Sequence, residues 1–182
     1  MTSTATSYQT TSAPLTAVLD AVPPAAWGNP SPCEGWAARD VVRHLIETQR
    51  DFLTGRGADL GPLPDVDADP AAAWRAHATR VADVLADDAF AAAGYDGFFG
   101  PTTVGATLEQ FYVWDMVVHR WDVARAAGIE PGLTDAEVDR MEQGAQSFGE
   151  ALYMDGICRP GTEAPAGADR ATQVLALLGR AA

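Results

Sequence analysis

Cysteine is scarce in this sequence: Cys33 and Cys158 are the two in 182 residues. They lie far apart and match no CxxC pattern, which excludes zinc sites built from paired thiolates. In a reducing compartment both are expected to be free thiols. Long apolar runs are missing as well. No stretch approaches the roughly 20 apolar residues of a membrane-spanning helix. Positive charge is short, with 12 Lys and Arg against 25 Asp and Glu and a formal net charge of −13. That balance argues against nucleic acid as a partner, since phosphate binding needs clusters of Lys and Arg. It equally disfavours an anionic membrane surface. The stretch Met1–Thr10 is polar, rich in Ser and Thr, and lacks the charged start and apolar run of a signal peptide. The chain therefore reads as cytoplasmic, with residues 1–10 as a flexible N-terminus.

What is present points to helices. Ala is abundant, β-branched residues are modest, and apolar residues recur at helical spacing. Leu15, Val18, Leu19 and Val22 predict a short first helix from Thr11 that Pro23-Pro24 ends. A second helix is expected from about Ala37 to Leu53, carrying Val41, Val42, Leu45, Ile46 and Phe52, with Gly55 and Gly57 as stop signals. A third starts near Asp69-Pro70, where Pro suits the first turn, and ends near Asp87. Glycines 94, 97 and 100 make residues 88–102 a loop with a short extended piece. A fourth helix spans about Thr103 to Ala127 and closes at Gly128. Thr134 and Glu137 read as a capping box for a fifth helix that reaches about Tyr153. Asp169 caps a last short helix that ends at Leu178. The length suits one domain, taken here as residues 11–182. The fold class is all-α, an elaborated four-helix bundle with short additional helices and a C-terminal extension.

The chemistry-bearing residues concentrate in the second and fourth helices. Asp115 and His119 are four apart, so they share a helix face with Cβ atoms roughly 5–6 Å apart. That face also carries Leu108, Phe111 and Val118. A carboxylate and an imidazole on an apolar stripe need partners, because unpaired burial costs several kcal/mol. A divalent metal bound by Asp115, His119 and His44 satisfies all three. Zinc accepts such donors and keeps open positions in catalytic sites; iron(II) and nickel accept them too. The rival reading is a plain helix-surface pair and a core histidine. Glu47, one turn after His44, is a weak candidate for a base or hydrogen-bond acceptor, against a solvated helix residue. Cys33 reads as a small buried residue beside Trp36, Asp122 and Arg125 as a local ion pair, and Arg120 as exposed. His77 reads as an ordinary helix histidine.

Further residues carry a resemblance. The stretch Pro30-Ser31-Pro32-Cys33-Glu34-Gly35-Trp36, running on through Ala37-Ala38-Arg39-Asp40-Val41-Val42-Arg43-His44-Leu45, resembles the opening signature of mycothiol-dependent maleylpyruvate isomerase-like proteins. These belong to the DinB-like metal-binding superfamily. Residues 115–128, from Asp115 through His119-Arg120-Trp121-Asp122 to Gly128, are similar to their second signature. Residues 164–180 resemble the tail of a single-domain actinobacterial branch. The resemblance implies a DinB-like four-helix bundle. It implies a metal held by one His of the second helix and a pair from the fourth, at His44, Asp115 and His119. It also implies that the thiol of a sugar-based cofactor, mycothiol, serves as co-substrate. The isomerase itself usually carries Glu at the position of Asp115 and has a second C-terminal domain, so its own reaction is not carried over.

The resulting expectation is a metal-dependent enzyme, a thiol transferase or isomerase. It activates a low-molecular-weight thiol or water for addition to a small electrophilic substrate. Its metal is zinc by first preference, with nickel or iron open. The alternatives are a non-catalytic, metal-stabilised bundle that binds a small ligand or partner, and a thiol-independent hydrolase or cyclase-type enzyme. A small-molecule substrate is the expected partner, and a homodimer is open.

Overall fold

The polar N-terminal stretch is helical. The computed structural model describes residues 3–154 and 157–180, and helix α1 covers Ser3–Ala21. Helix and burial therefore begin before Thr11, and the expected flexible segment is corrected over residues 3–10; Met1 and Thr2 lie outside the described residues. The reason is burial rather than propensity. Ala5, Tyr8, Ser12, Leu15, Leu19 and Val22 are all buried, and their spacing alternates three and four, which makes one helical face. Ser and Thr on the other positions hide that face from a composition reading, and Pro14 lies inside the helix.

A short 3-10 turn (Pro24–Gly28) leads to α2 (Ala38–Thr54). The loop between them folds back on itself. Pro30 and Ala37 form an isolated antiparallel bridge, and Ser31 N–H donates to Trp36 O at 2.8 Å. Gly35, at φ 76°, makes this turn, because a side chain there would be strained. Ala37 supplies no side-chain cap to α2, but its own N–H donates to the Asp40 carboxylate at 2.9 Å. Helix α3 (Pro70–Leu85) is capped by Asp69, whose carboxylate accepts from Ala72 N–H.

The region expected to be a loop is more ordered. It holds a one-turn helix, α4 (Asp88–Ala92), and a hairpin of β1 (Gly94–Gly97) and β2 (Gly100–Thr103) in antiparallel register. Thr103 then caps an unbroken helical rod. The rod comprises α5 (Val104–Thr107), a π-helical segment (Leu108–Val113) and α6 (Trp114–Ala127). Gly128, at φ 68°, ends it with the left-handed cap expected of a glycine.

Helices α1, α2, α3 and the rod pack as a four-helix bundle, with α1 against α3 and α6, and α2 against α3 and α6. The core includes Leu15, Leu45, Leu53, Trp74, Leu85, Leu108 and Met116. None of the described helices is long and apolar enough to cross a membrane.

Contacts divide the chain into two compact units, Met1–Pro131 and Gly132–Ala182, where the sequence suggests one domain. The break follows Gly128 and precedes Gly132, another positive-φ glycine, and no regular element joins α6 to the next helix. The second unit holds α7 (Asp135–Phe148), a 3-10 turn (Gly149–Tyr153) and α8 (Arg170–Leu177). Thr134 and Glu137 form the expected capping box. Arg170 ties α8 to α7 through Asp139 and Glu142.

Candidate metal centre

Two helices bring the three candidate ligands together. On α2 the buried stripe is Ala38, Val41, Val42, Leu45, Ile46 and Gln49. His44 sits at the edge of that stripe and stays partly exposed, with 27% of its side chain accessible. Asp115 and His119 lie one turn apart on α6, which packs against α2. His44 Nε2 stands 3.4 Å from Asp115 Oδ2, and His119 Nε2 stands 3.2 Å from Asp115 Oδ1. One carboxylate thus presents each of its oxygens to a different imidazole. One donor atom from each of the three residues lies within 4.8 Å of the others.

These separations are compatible with a cation between the side chains as well as with hydrogen bonds to Asp115. Zinc binds imidazole nitrogen and carboxylate oxygen at about 2.0–2.2 Å, so tetrahedral neighbours around one ion stand about 3.3–3.6 Å apart. The Nε2–O gaps of 3.4 and 3.2 Å are near that spacing, each to a different oxygen of Asp115. They are longer than the usual 2.7–3.2 Å range of N–H···O hydrogen bonds or at its upper end. The His119 Nδ1 contact with Asp122 Oδ2, at 2.8 Å, is a shorter hydrogen bond.

The family model of the mycothiol maleylpyruvate isomerase N-terminal domain matches residues 9–124. The chain belongs to that family. The matched stretch contains His44, Asp115 and His119, and the bundle is the all-α, DinB-like fold. No curated protein and no solved structure matches the chain. The assignment makes this a mycothiol-related, DinB-like metal-binding protein whose helices hold groups able to carry an ion.

The electrostatics of this family member favour a positive charge between the three side chains. Burial by itself pushes the Asp115 carboxyl up, but the His119 and His44 imidazoles outweigh it and hold the carboxyl well below the usual carboxylate range. Burial likewise pulls His119 down. The Asp115 charge and the hydrogen bonds to Asp115, Asp122 and Cys33 outweigh that and raise it well above its ordinary value. A divalent metal held there would compete with a proton for the same place and release it.

Asp122 is fully buried, and its role differs from the expected ion pair. It accepts from His119 Nδ1–H, while Arg125 remains exposed. Three residues is as close on a helix as four, and the buried side of α6 offers the imidazole rather than the guanidinium. That bond fixes the tautomer which leaves the Nε2 lone pair for a metal. Cys33 is neither deeply buried nor remote. Its thiol donates to Asp122 Oδ2 at 3.4 Å and lies 3.9 Å from His119 Nδ1. The Trp36 ring covers His44 at 4.9 Å between ring centroids. Asp122, Cys33 and Trp36 escape a spacing analysis because the loop fold brings two of them in from far along the chain. Their presence in the two signature stretches is the only sequence signal. Glu47 is exposed and is not part of the His44, Asp115 and His119 group. Arg120 is buried, not exposed. Cys158 lies in the second unit, near Arg180.

Asp122 can be tested apart from the ligands. Asp122→Asn should weaken metal binding about 10–100-fold, measured by competition with a chromophoric chelator, while circular dichroism stays native. Unchanged affinity would remove Asp122 from the site.

Proposed function

We propose that His44, Asp115 and His119 hold one divalent cation, zinc by first preference, and that the protein uses it to activate a small thiol of the mycothiol type for addition to a small electrophile. The observation that carries this reading is the single carboxylate flanked on both oxygens by imidazole Nε2 atoms at 3.4 and 3.2 Å. A divalent metal at such a site lowers the pKa of a bound thiol or water and polarises carbonyl groups.

The side chains support the remaining tasks. Three protein donors leave coordination positions open, the pattern of catalytic rather than structural zinc sites. His44 and Asp115 retain 27% and 23% side-chain exposure, so small molecules have access from their side. Asp122 orients His119 from behind through Nδ1. Trp36 forms an aromatic wall beside His44 that keeps part of the site dry. That partial exposure argues against the non-catalytic bundle, whose metal would be enclosed. Water in place of the thiol gives the hydrolase or cyclase-type alternative with the same residues.

The test uses full-length protein stripped of metal and reloaded with zinc, nickel or iron(II). It is mixed with a cysteinyl-glucosamine thiol and a panel of small electrophiles, and free thiol is followed. The expected result is metal-dependent thiol consumption that His44→Ala abolishes. Turnover that needs the metal but no thiol would favour the hydrolytic alternative, and metal-independent rates would overturn the proposal.

A further inference from the structure

The tip of the β1–β2 hairpin exposes two aromatic rings where turns normally place small polar residues. Gly97 pairs with Gly100, so Phe98 and Phe99 form the two-residue connection. Two-residue hairpin loops favour Asn-Gly or Gly-containing pairs. Here neither Phe takes a positive φ, and Gly100, at φ 106°, absorbs the turn. Phe98 is 75% exposed and Phe99 is 55% exposed. Large rings held in water oppose solubility, and a contiguous apolar patch is the kind of surface that marks a binding site.

The patch is organised and lies along the metal-bearing rod. Phe99 stacks parallel on Phe111, with ring centroids 6.1 Å apart and planes 4° from parallel. Phe98 meets Phe99 edge to face at 4.9 Å. Phe111 lies in the π-helical segment four residues before Asp115, so the two share a helix face. π-Helical turns inside α-helices are frequent at functional sites. The hairpin is also held at its base, where Tyr95 Oη donates to Thr107 Oγ1 at 2.6 Å.

We infer that Phe98, Phe99 and Phe111 form an aromatic shelf that receives a flat apolar portion of the substrate while its polar end meets the metal cluster. This rests on the reading of His44, Asp115 and His119 as metal ligands. A small molecule is the occupant because Phe111 stands one helical turn before the partly exposed Asp115 on the rod, a separation that one ligand spans. A second copy of the chain is disfavoured, since each carries a net charge of −13 and like charge opposes association. The substrate class is thus an aromatic or planar conjugated electrophile rather than a short aliphatic one.

Two hydroxamates test this in the zinc-loaded full chain, because both chelate open zinc and differ in the tail. Isothermal titration with acetohydroxamate and 2-naphthohydroxamate should show the naphthyl compound binding about tenfold or more tighter, as stacking on two or more rings predicts. Phe99→Ala and Phe111→Ala should each remove most of that advantage and leave acetohydroxamate binding and zinc content unchanged. Phe99→Ala changes an exposed residue, so it separates ligand contact from folding if Phe111→Ala is unstable. Absence of acetohydroxamate binding to the parent protein would count against the metal reading itself. Acetohydroxamate binding with no naphthyl advantage, or an advantage indifferent to Phe99, would overturn the shelf. A dimer in sedimentation that Phe98→Ala dissolves would assign the rings to self-association and also overturn it.

Discussion

His119→Ala is expected to lose most of the bound metal while the protein stays helical. His119 is the member of the cluster that touches everything else. Its Nε2 faces Asp115, and its Nδ1 is held by Asp122. Removing it takes away one of three donors and also the group that Asp122 orients. At the proposed three-ligand site, loss of one ligand leaves too few donors to compete with water. Helicity survives because alanine is the best helix former and the α6 core contacts at Met116 and Val123 remain. Elemental analysis of dialysed protein gives the result, and equal metal in variant and parent would refute the assignment. His44→Ala is the companion variant. His44 is partly exposed, so its loss opens no buried cavity, yet it should release metal too. In the parent protein, affinity should rise as pH rises, because the metal displaces the proton that Asp115 helps to hold on His119.

Tyr8→Ala is expected to cost about 3–5 kcal/mol of stability, the range for deleting a buried aromatic ring. Tyr8 is fully buried on α1, and its hydroxyl donates to Gln49 Oε1 on α2 at 2.9 Å. The same oxygen receives His77 Nε2, from α3, at 3.0 Å. His77 is kept neutral, pulled down to about 3 by burial, with the Arg50 charge adding to the effect. Burial drives the Tyr8 hydroxyl far above its usual value, so it remains a donor at any working pH. Gln49 Nε2 and His77 Nδ1 already have no hydrogen-bond partner among the described residues, so this network offers no substitute for a lost contact. Tyr8→Phe should cost only about 1 kcal/mol, the net worth of one hydrogen bond. Urea unfolding at constant m-value separates the two. A Tyr8→Ala midpoint equal to that of the parent would show that residues 3–10 do not pack.

Pattern strength decided which helices were visible. The stripes of α2 and α6, the Asp69-Pro70 start of α3 and the Thr134 capping box announce themselves locally, and each appears within a residue or two of its expected place. The first turns of α1, residues 3–10, did not, because Ser and Thr dominate that stretch and Ala5 and Tyr8 carry little hydrophobic signal alone. Their burial depends on α2 and α3 arriving to cover them. The π-helical turn was also invisible, since it depends on how the rod meets the hairpin rather than on any one residue type. The same holds for the division at Pro131, which follows from which helices touch.

For the site, Asp115 and His119 were legible because one turn of helix is a fixed ruler. The family likeness pointed to His44 and was matched over residues 9–124. The sequence by itself determined an all-α bundle, its acidic surface and the two positions whose spacing shares a face, because all three are properties of short range or composition. Only the tertiary structure decided that His44 meets the other oxygen of Asp115, that Asp122 bonds the imidazole instead of Arg125, and that Phe99 stacks on Phe111. Each of those depends on the angle and offset at which separate segments pack, and no local pattern encodes that geometry.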